Sequence, residues 1–382
     1  MKISWSKTNL ITMKISRPIT LIVVLALSVL MAYADDMPTD SLPTKEKEKS
    51  QELGVVRRTI REFDRLDTRY IEPQHYVFTV MVQGTYTYDH YALRSIDEEE
   101  QSITFASKGS MKVGPYFGWK WIFAGYTFTL GHSSFDKTKT EIDFSIYSSQ
   151  IGADLFYRRT GSDYTLRNAK LKKGVDMSPL DDMPFDGIRA GITGFNVYYI
   201  FNHGRFSYPA AFAQSTCQKI SCGSWLAGIG YTNNTLEFDH EKFQEEVDKR
   251  MGANVVKIDS SLMFQSAEYS NFSISGGYAY NWVFARNWLL GVSTQLALAY
   301  KKSSGTTERG NDRGHFYRTK INPGFNGRFG LVYNNMRWYA GLCGVVYSNY
   351  NLESRFTTNN THGYLSMYVG YNFGLKKKYQ QQ

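Results

Sequence analysis

The chain has 382 residues, a net charge of +9 and 15% aromatics, with 28 Tyr, 24 Phe and 32 Gly against only 9 Pro, a mix that favours long strands and tight turns over helices. Four of the cations (Lys2, Lys7, Lys14, Arg17) fall in an acid-free leader, so +9 less four leaves the mature chain near +5; no run of Lys and Arg is interleaved with aromatics, and nucleic acid is excluded as a partner. Beyond residue 34 no stretch approaches the about 18 consecutive apolar residues of a helical span, which excludes helical membrane crossings.

The leader comes first in chain order. Met13–Ala34 reads MKISRPITLIVVLALSVLMAYA. Lys14 and Arg17 form a positive start, Ile19–Met31 an apolar middle, and Ala32-Tyr33-Ala34 a small-residue cleavage site. This predicts a secretory signal peptide over residues 1–34, with Met13 a better start than Met1 and Asp35 the first mature residue. A retained anchor would need a longer apolar run, and a lipoprotein anchor would need Cys where Asp35 stands. Residues 35–69 read as a periplasmic N-terminal extension, polar at first and then carrying a short helix over 53–66 with Val56, Ile60 and Phe63 at helical spacing.

From residue 70 the period changes to two. In TEIDFSIYS (140–148), Ile142, Phe144 and Ile146 oppose Glu141, Asp143 and Ser145. In SNFSISGGYAYNW (270–282), Phe272, Ile274, Tyr278 and Tyr280 oppose Asn271, Ser273 and Asn281. LLGVSTQLALAY (289–300) and NPGFNGRFGLVY (322–333) follow the same rule. The last run, 363–375, alternates Leu365, Met367, Val369, Tyr371, Phe373 and Leu375 with Ser366, Tyr368, Gly370, Asn372 and Gly374.

A soluble sandwich also alternates, but three features select a membrane barrel. Ten residues at ~3.3 Å each, tilted about 45°, span roughly 23 Å, the height of an outer-membrane apolar band. Trp119, Trp121, Trp282, Trp288 and Trp338 cluster at strand ends, as an interfacial aromatic girdle requires. Short turns alternate with longer polar loops. The apolar face then meets lipid, which reconciles a mean hydropathy of −0.39 with a membrane home. The fold class expected is all-β: an antiparallel transmembrane β-barrel over 70–375, with 376–382 a polar C-terminal tail. Twelve strands are expected, near 76–91, 101–118, 122–131, 140–149, 150–159, 186–200, 224–238, 269–283, 288–302, 316–334, 337–350 and 363–375. A fourteen-strand alternative adds 205–216 and 255–266.

Candidate lumen-lining charges are Glu141, Asp143, Asp154, Arg158, Arg189 and Arg328. Opposed acids and bases would set the ion preference of a pore, or would zip the interior shut. FSYPAAFAQS (206–215) is too apolar for an ordinary loop and Pro209 breaks a central strand, so it folds against the barrel mouth or enters the lumen. Cys217 and Cys222 either pair in the oxidising envelope or stay as free thiols, and Cys343 stands alone. No ligand spacing suggests a metal or cofactor. His132, beside Ser133, Ser134 and Asp136, reads as a polar loop; no G-x-S-x-G accompanies it, and no catalytic residue is assigned.

The segments YIEPQHYVFTVMVQGTYTYDHYALRS (70–95), MKVGPYFGWKWIFAGYTFTLG (111–131) and RFSYPAAFAQSTCQKISCGSWLAGIGY (205–231) resemble a family of uncharacterised Bacteroidetes proteins, DUF4421, over roughly 65–375. The resemblance implies an outer-membrane barrel and no particular reaction. Outer-membrane strands often end a chain on an aromatic, whereas here Phe373 is followed by GLKKKYQQQ. The expected partners are outer-membrane lipid and the barrel-assembly machinery of a Gram-negative envelope. The expected role is passage of small solutes, against a lipid-acting enzyme or a structural or partner-binding barrel with a filled lumen.

Overall fold

The computed structural model describes residues 66–380 apart from 97–99, 120–121, 127, 131–139, 161–162, 308–312, 315–320 and 353–355. The expected leader, all but the last residue of the 53–66 helix, Trp121, His132 and His315 therefore lie outside the described residues. Everything below belongs to the compact unit that begins at Arg61.

In chain order the strands are β1 (Ile71–Pro73), β2 (Tyr76–Ser95), β3 (Ser102–Ser107), β4 (Ser110–Trp119), β5 (Ile122–Gly125), β6 (Phe128–Leu130), β7 (Thr140–Tyr147), β8 (Ile151–Arg159), β9 (Tyr164–Lys170), β10 (Pro184–Phe185) and β11 (Ile188–Ile200). After helix α1 (Tyr208–Phe212) come β12 (Thr216–Gln218) and β13 (Cys222–Phe238). After helix α2 (His240–Met251) come β14 (Phe264–Ala285), β15 (Trp288–Thr307), β16 (Arg313–Gly314), β17 (Ile321–Asn334), β18 (Trp338–Leu352) and β19 (Phe356–Leu375). No helix among the described residues is long and apolar enough to cross a membrane.

The strands form a barrel. Antiparallel ladders run in order from β8 through β11, β13, β14, β15, β17, β18, β19 and β2 to β4. β4 continues onto β5 and β6, and β7 pairs with β8; the 131–139 segment between β6 and β7 is outside the described residues. Counting β3–β4 and β5–β6 as one stave each, twelve staves are described, in the order expected. The two extra strands of the fourteen-strand alternative do not form: 205–216 holds α1, and 255–266 holds a 3-10 turn (Ser260–Leu262) leading into β14. β2 and β19 meet in the wall, Leu375 opposite Tyr76 and Phe356 opposite Ser95.

The outward face carries the lipid signature. Val82, Ile229, Ile274, Leu296, Leu298, Met367 and Val369 are all exposed, Leu296 at 70%. At the short-turn end they are bounded by aromatics: Trp119, Trp282, Trp288 and Trp338 point outward, with Trp288 packed on Tyr333 at 5.3 Å and Trp338 on Tyr371 at 4.6 Å. Toward the other end Phe195, Tyr231, Phe272 and Tyr300 stand side by side in register across four staves. Phe272 and Trp282 are ten positions apart on β14, and Trp288 and Tyr300 twelve apart on β15. At ~3.3 Å per residue and about 45° tilt, the two girdles lie roughly 23–28 Å apart, the height of the apolar band. Trp225, also exposed and packed on Tyr278 at 5.1 Å, belongs to this outer surface.

Beyond the second girdle the alternation changes sides. On β13, Trp225 and Ile229 face out, whereas Leu236 and Phe238 are buried. On β2, Val80 and Val82 face out, whereas Tyr91 and Leu93 are buried. Here β9 takes the place beside β3 that β5 and β6 hold beside β4. The inward residues join α2 in one apolar core that includes Phe105, Phe185, Phe238, Phe243, Phe264 and Phe356. Asp239 caps α2, its side chain accepting from the Lys242 N–H at 3.0 Å, and Phe243 and Val247 follow one turn apart on the buried face.

Candidate functional site

The interior of the barrel is built in storeys. At the short-turn end, the connection between β11 and β13 folds back between the walls. Ser207 caps α1, its hydroxyl accepting from the Ala210 N–H at 3.2 Å, and Pro209 sits in the first turn, where its missing N–H costs nothing. Ala210 and Ala211 are buried, and the wall they meet is equally small. A Cβ on Gly291 would lie 2.5 Å from Ala211 Cβ, and one on Gly330 would lie 2.7 Å from the Ala211 carbonyl. Small residues on both partners let backbone approach backbone. The seat is fastened by Asn281, which donates to the Ser207 carbonyl at 2.7 Å, by the Gln214 amide donating to the Tyr368 hydroxyl, and by Gln218, which donates to the Arg205 carbonyl at 2.6 Å. β1 and β12 pair as a two-stranded ribbon at the same end.

Above α1 sits Arg328 of β17, with its side chain only 2% exposed. It pairs with Asp154 of β8, five ladders away round the wall, so the ion pair crosses the lumen. The guanidinium also donates to the hydroxyls of Tyr198 (2.8 Å), Tyr208 (2.9 Å) and Tyr347 (2.8 Å). The rings of Tyr147, Tyr198, Tyr208 and Tyr347 stand 5.1–6.0 Å from its centre. Asp154 receives the Ser145 hydroxyl at 2.8 Å. A desolvated charge pair persists only when its hydrogen-bonding capacity is largely met, and these tyrosines meet most of it. Toward the outer end, His362 bonds Asn360 at 2.7 Å and stacks on Tyr347 at 5.3 Å. The Lys301 ammonium donates to the Leu352 carbonyl. The apolar cap then closes the column.

Of the candidate charges, Asp154, Arg158 and Arg328 are buried inside. Glu141 and Asp143 lie on β7, Glu141 opposite Arg158 in the register, and their side chains lie outside the described set. Arg189 is a correction: it stands on the outer surface, 68% exposed, with Glu237 at 3.9 Å. Its neighbours Ile188 and Ala190 join the cap core, and Ile192 is buried too, which reverses the side on which Arg189 emerges. Of the two alternatives for Cys217 and Cys222, the structure has the free thiols. The two sulfurs look to different partners. Cys217 Sγ lies 3.6 Å from the Asn334 carbonyl, and Cys222 Sγ accepts from the Asn202 amide at 3.2 Å. Burial pushes the Cys217 thiol up to about 12. The four tyrosines around Arg328 were not singled out from sequence; inward parity on β7, β11 and β18 is the signal that would find three of them. Among the described residues no group of His, Cys, Asp and Glu is arranged to hold a metal ion.

Solved structures similar to this chain include the outer-membrane protease OmpT of Escherichia coli (8% identity, covering 78% of this chain and 97% of that one, TM-score 0.36). The translocator domain of the autotransporter NalP of Neisseria meningitidis also matches (10%, 85% and 96%, TM-score 0.29), as does the P. putida toluene transporter TodX (9%, 78% and 91%, TM-score 0.26). No curated protein matches the chain. Residues 65–373 match the family described as a domain of unknown function, DUF4421, and the chain belongs to that family.

Proposed function

We propose that this protein is an outer-membrane barrel of a Gram-negative envelope with a filled lumen, a structural or partner-presenting element and not a pore. The observation that carries the reading is the Arg328–Asp154 pair, which spans the lumen and is wrapped by tyrosines from β11, β18 and α1. Passage of small solutes, the reading favoured by sequence, needs a continuous water path. A path through this storey would have to part a desolvated ion pair, which is strongly unfavourable. The girdles and the exposed aliphatic band support lipid as the surrounding medium, and the short-turn end, with both strand termini, faces the periplasm on this reading. Insertion by the envelope's barrel-assembly machinery follows from the same reading. The test is conductance of the purified full chain in planar bilayers, with folding verified by heat-modifiable migration. No unitary current steps are expected; reproducible steps of defined size from folded protein would overturn the proposal.

A further inference from the structure

Between the Arg328 storey and the cap, the lumen holds a chamber that offers about 40 Å³ to the centres of water-sized molecules. At ~10–15 Å³ of such space per water, it has room for about three. Asn196, Asn271, Asn322 and Asn349 line it from β11, β14, β17 and β18, and Phe156 and Tyr347 also contribute to the lining. No lining residue is charged.

Two of these amides are incomplete. Asn196 and Asn271 are 6% and 4% exposed, yet Asn196 Nδ2 and Asn271 Oδ1 have no hydrogen-bond partner. The Asn271 amide nitrogen is engaged with Thr232 at 3.4 Å and Asn351 at 3.3 Å, which orients its oxygen. Buried polar atoms in folded proteins are nearly always met, so these two atoms, in residues that line a chamber, point to a bound group. The chemistry of that group is constrained. Asn196 Nδ2 needs an acceptor and Asn271 Oδ1 needs a donor. An anion without a proton fails the second, and a cation such as ammonium fails the first. Hydroxyl groups can serve at either position, and the uncharged walls suit neutral molecules.

We propose that this chamber is a binding site for neutral hydroxyl groups, supplied by ordered water or by a small polyol. The site is independent of whether the barrel conducts.

The deciding measurement is NMR cross-relaxation on the full chain in nanodiscs, read at the Asn196 side-chain amide. Transfer from a bound hydroxyl is expected; an amide that receives none would overturn the proposal. Glycerol is the probe for the source. A saturable shift of the Asn196 amide assigns the site to polyol, and an unmoved resonance with transfer from water assigns it to water. Asn196→Leu is the companion variant. Filling a dry void would raise the urea midpoint or leave it unchanged, which would count against the proposal. Displacing bound hydroxyls should lower it by about 0.3–0.5 M. Should the variant fail to fold, cross-relaxation in the unaltered protein still decides.

Discussion

The membrane storey and the outer cap share the same staves and use opposite faces of them. Within the band, Val80, Val82, Ile229, Leu365 and Met367 point out to the surroundings and Asp154, Ser293, Arg328 and Ser366 point in. In the cap, Leu93, Leu236 and Phe356 point in, on the same three strands. The strand itself does not know which face is core; the medium decides. Where the outside is hydrocarbon, polar atoms gather within and must be bonded to one another. Where the outside is water, the ordinary arrangement returns. One ribbon therefore solves two burial problems, and the change of phase marks the height at which the chain leaves the bilayer.

Breaking the membrane storey from inside should have the largest effect. Arg328→Ala leaves Asp154 buried without its cation and is expected to cost about 3–5 kcal/mol in urea unfolding, and Arg328→Ala with Asp154→Ala should recover part of that loss. In the cap, Phe243→Ala removes a ring packed against Phe105, Phe185 and Phe238 at 5.3–5.7 Å. It should cost about 3 kcal/mol locally, read as faster proteolysis of the cap while the barrel keeps its heat-modifiable migration. The change of face is sharpened by one substitution made at two heights. Leu296→Arg, in the band, should cost about 2–4 kcal/mol. Thr235→Arg, outward on β13 above the band, should stay within about 0.5 kcal/mol. Equal costs at both heights would remove the distinction between the storeys.

The smallest effect is a pH dependence in the cap. The Lys242 ammonium, 2.7 Å from Asp186, holds that carboxyl below its ordinary range. A carboxyl lowered in the folded state contributes stability above its ordinary value of 3.8 and loses it as the pH falls through the lowered one. Cap protection from protease should therefore decline slightly below about pH 4 in the parent chain, and Asp186→Asn should flatten that part of the profile.

Much of this was legible in the chain. Alternation over 270–282, 289–300 and 363–375 is enough to locate those staves, because a period of two survives whichever side is wet, whereas the choice between twelve and fourteen came from the structure. Which side is wet is not carried by the period. Reading one face as lipid-facing along a whole strand sends Arg189 inward, because Ile188, Ala190 and Ile192 look like a lipid face when they are buried, the first two in the cap core. The signal was nevertheless present: Tyr86 and Tyr91 on β2 are an odd number apart, so they cannot share a face of a regular strand. The Arg328–Asp154 pair could not be read at all. Its members are 174 residues apart, and only the curvature of the wall brings β17 opposite β8. Pro209 and the Ala pair argued against a strand over 206–215, which the fourteen-strand alternative nevertheless kept, and α1 is the form that segment takes.

The seating of α1 also ties the middle of the chain to its last third. Tyr208 donates to Ser293 on β15 and receives from Arg328 on β17, and Gln214 reaches Tyr368 on β19. These attachments belong to the C-terminal half of the chain, up to 154 residues later, although the stopper itself is made near the middle. Loop closure of that length is slow and unrewarded until its far partners exist. The fastening of the stopper is therefore complete only when β19, which carries Tyr368, is in place on β2.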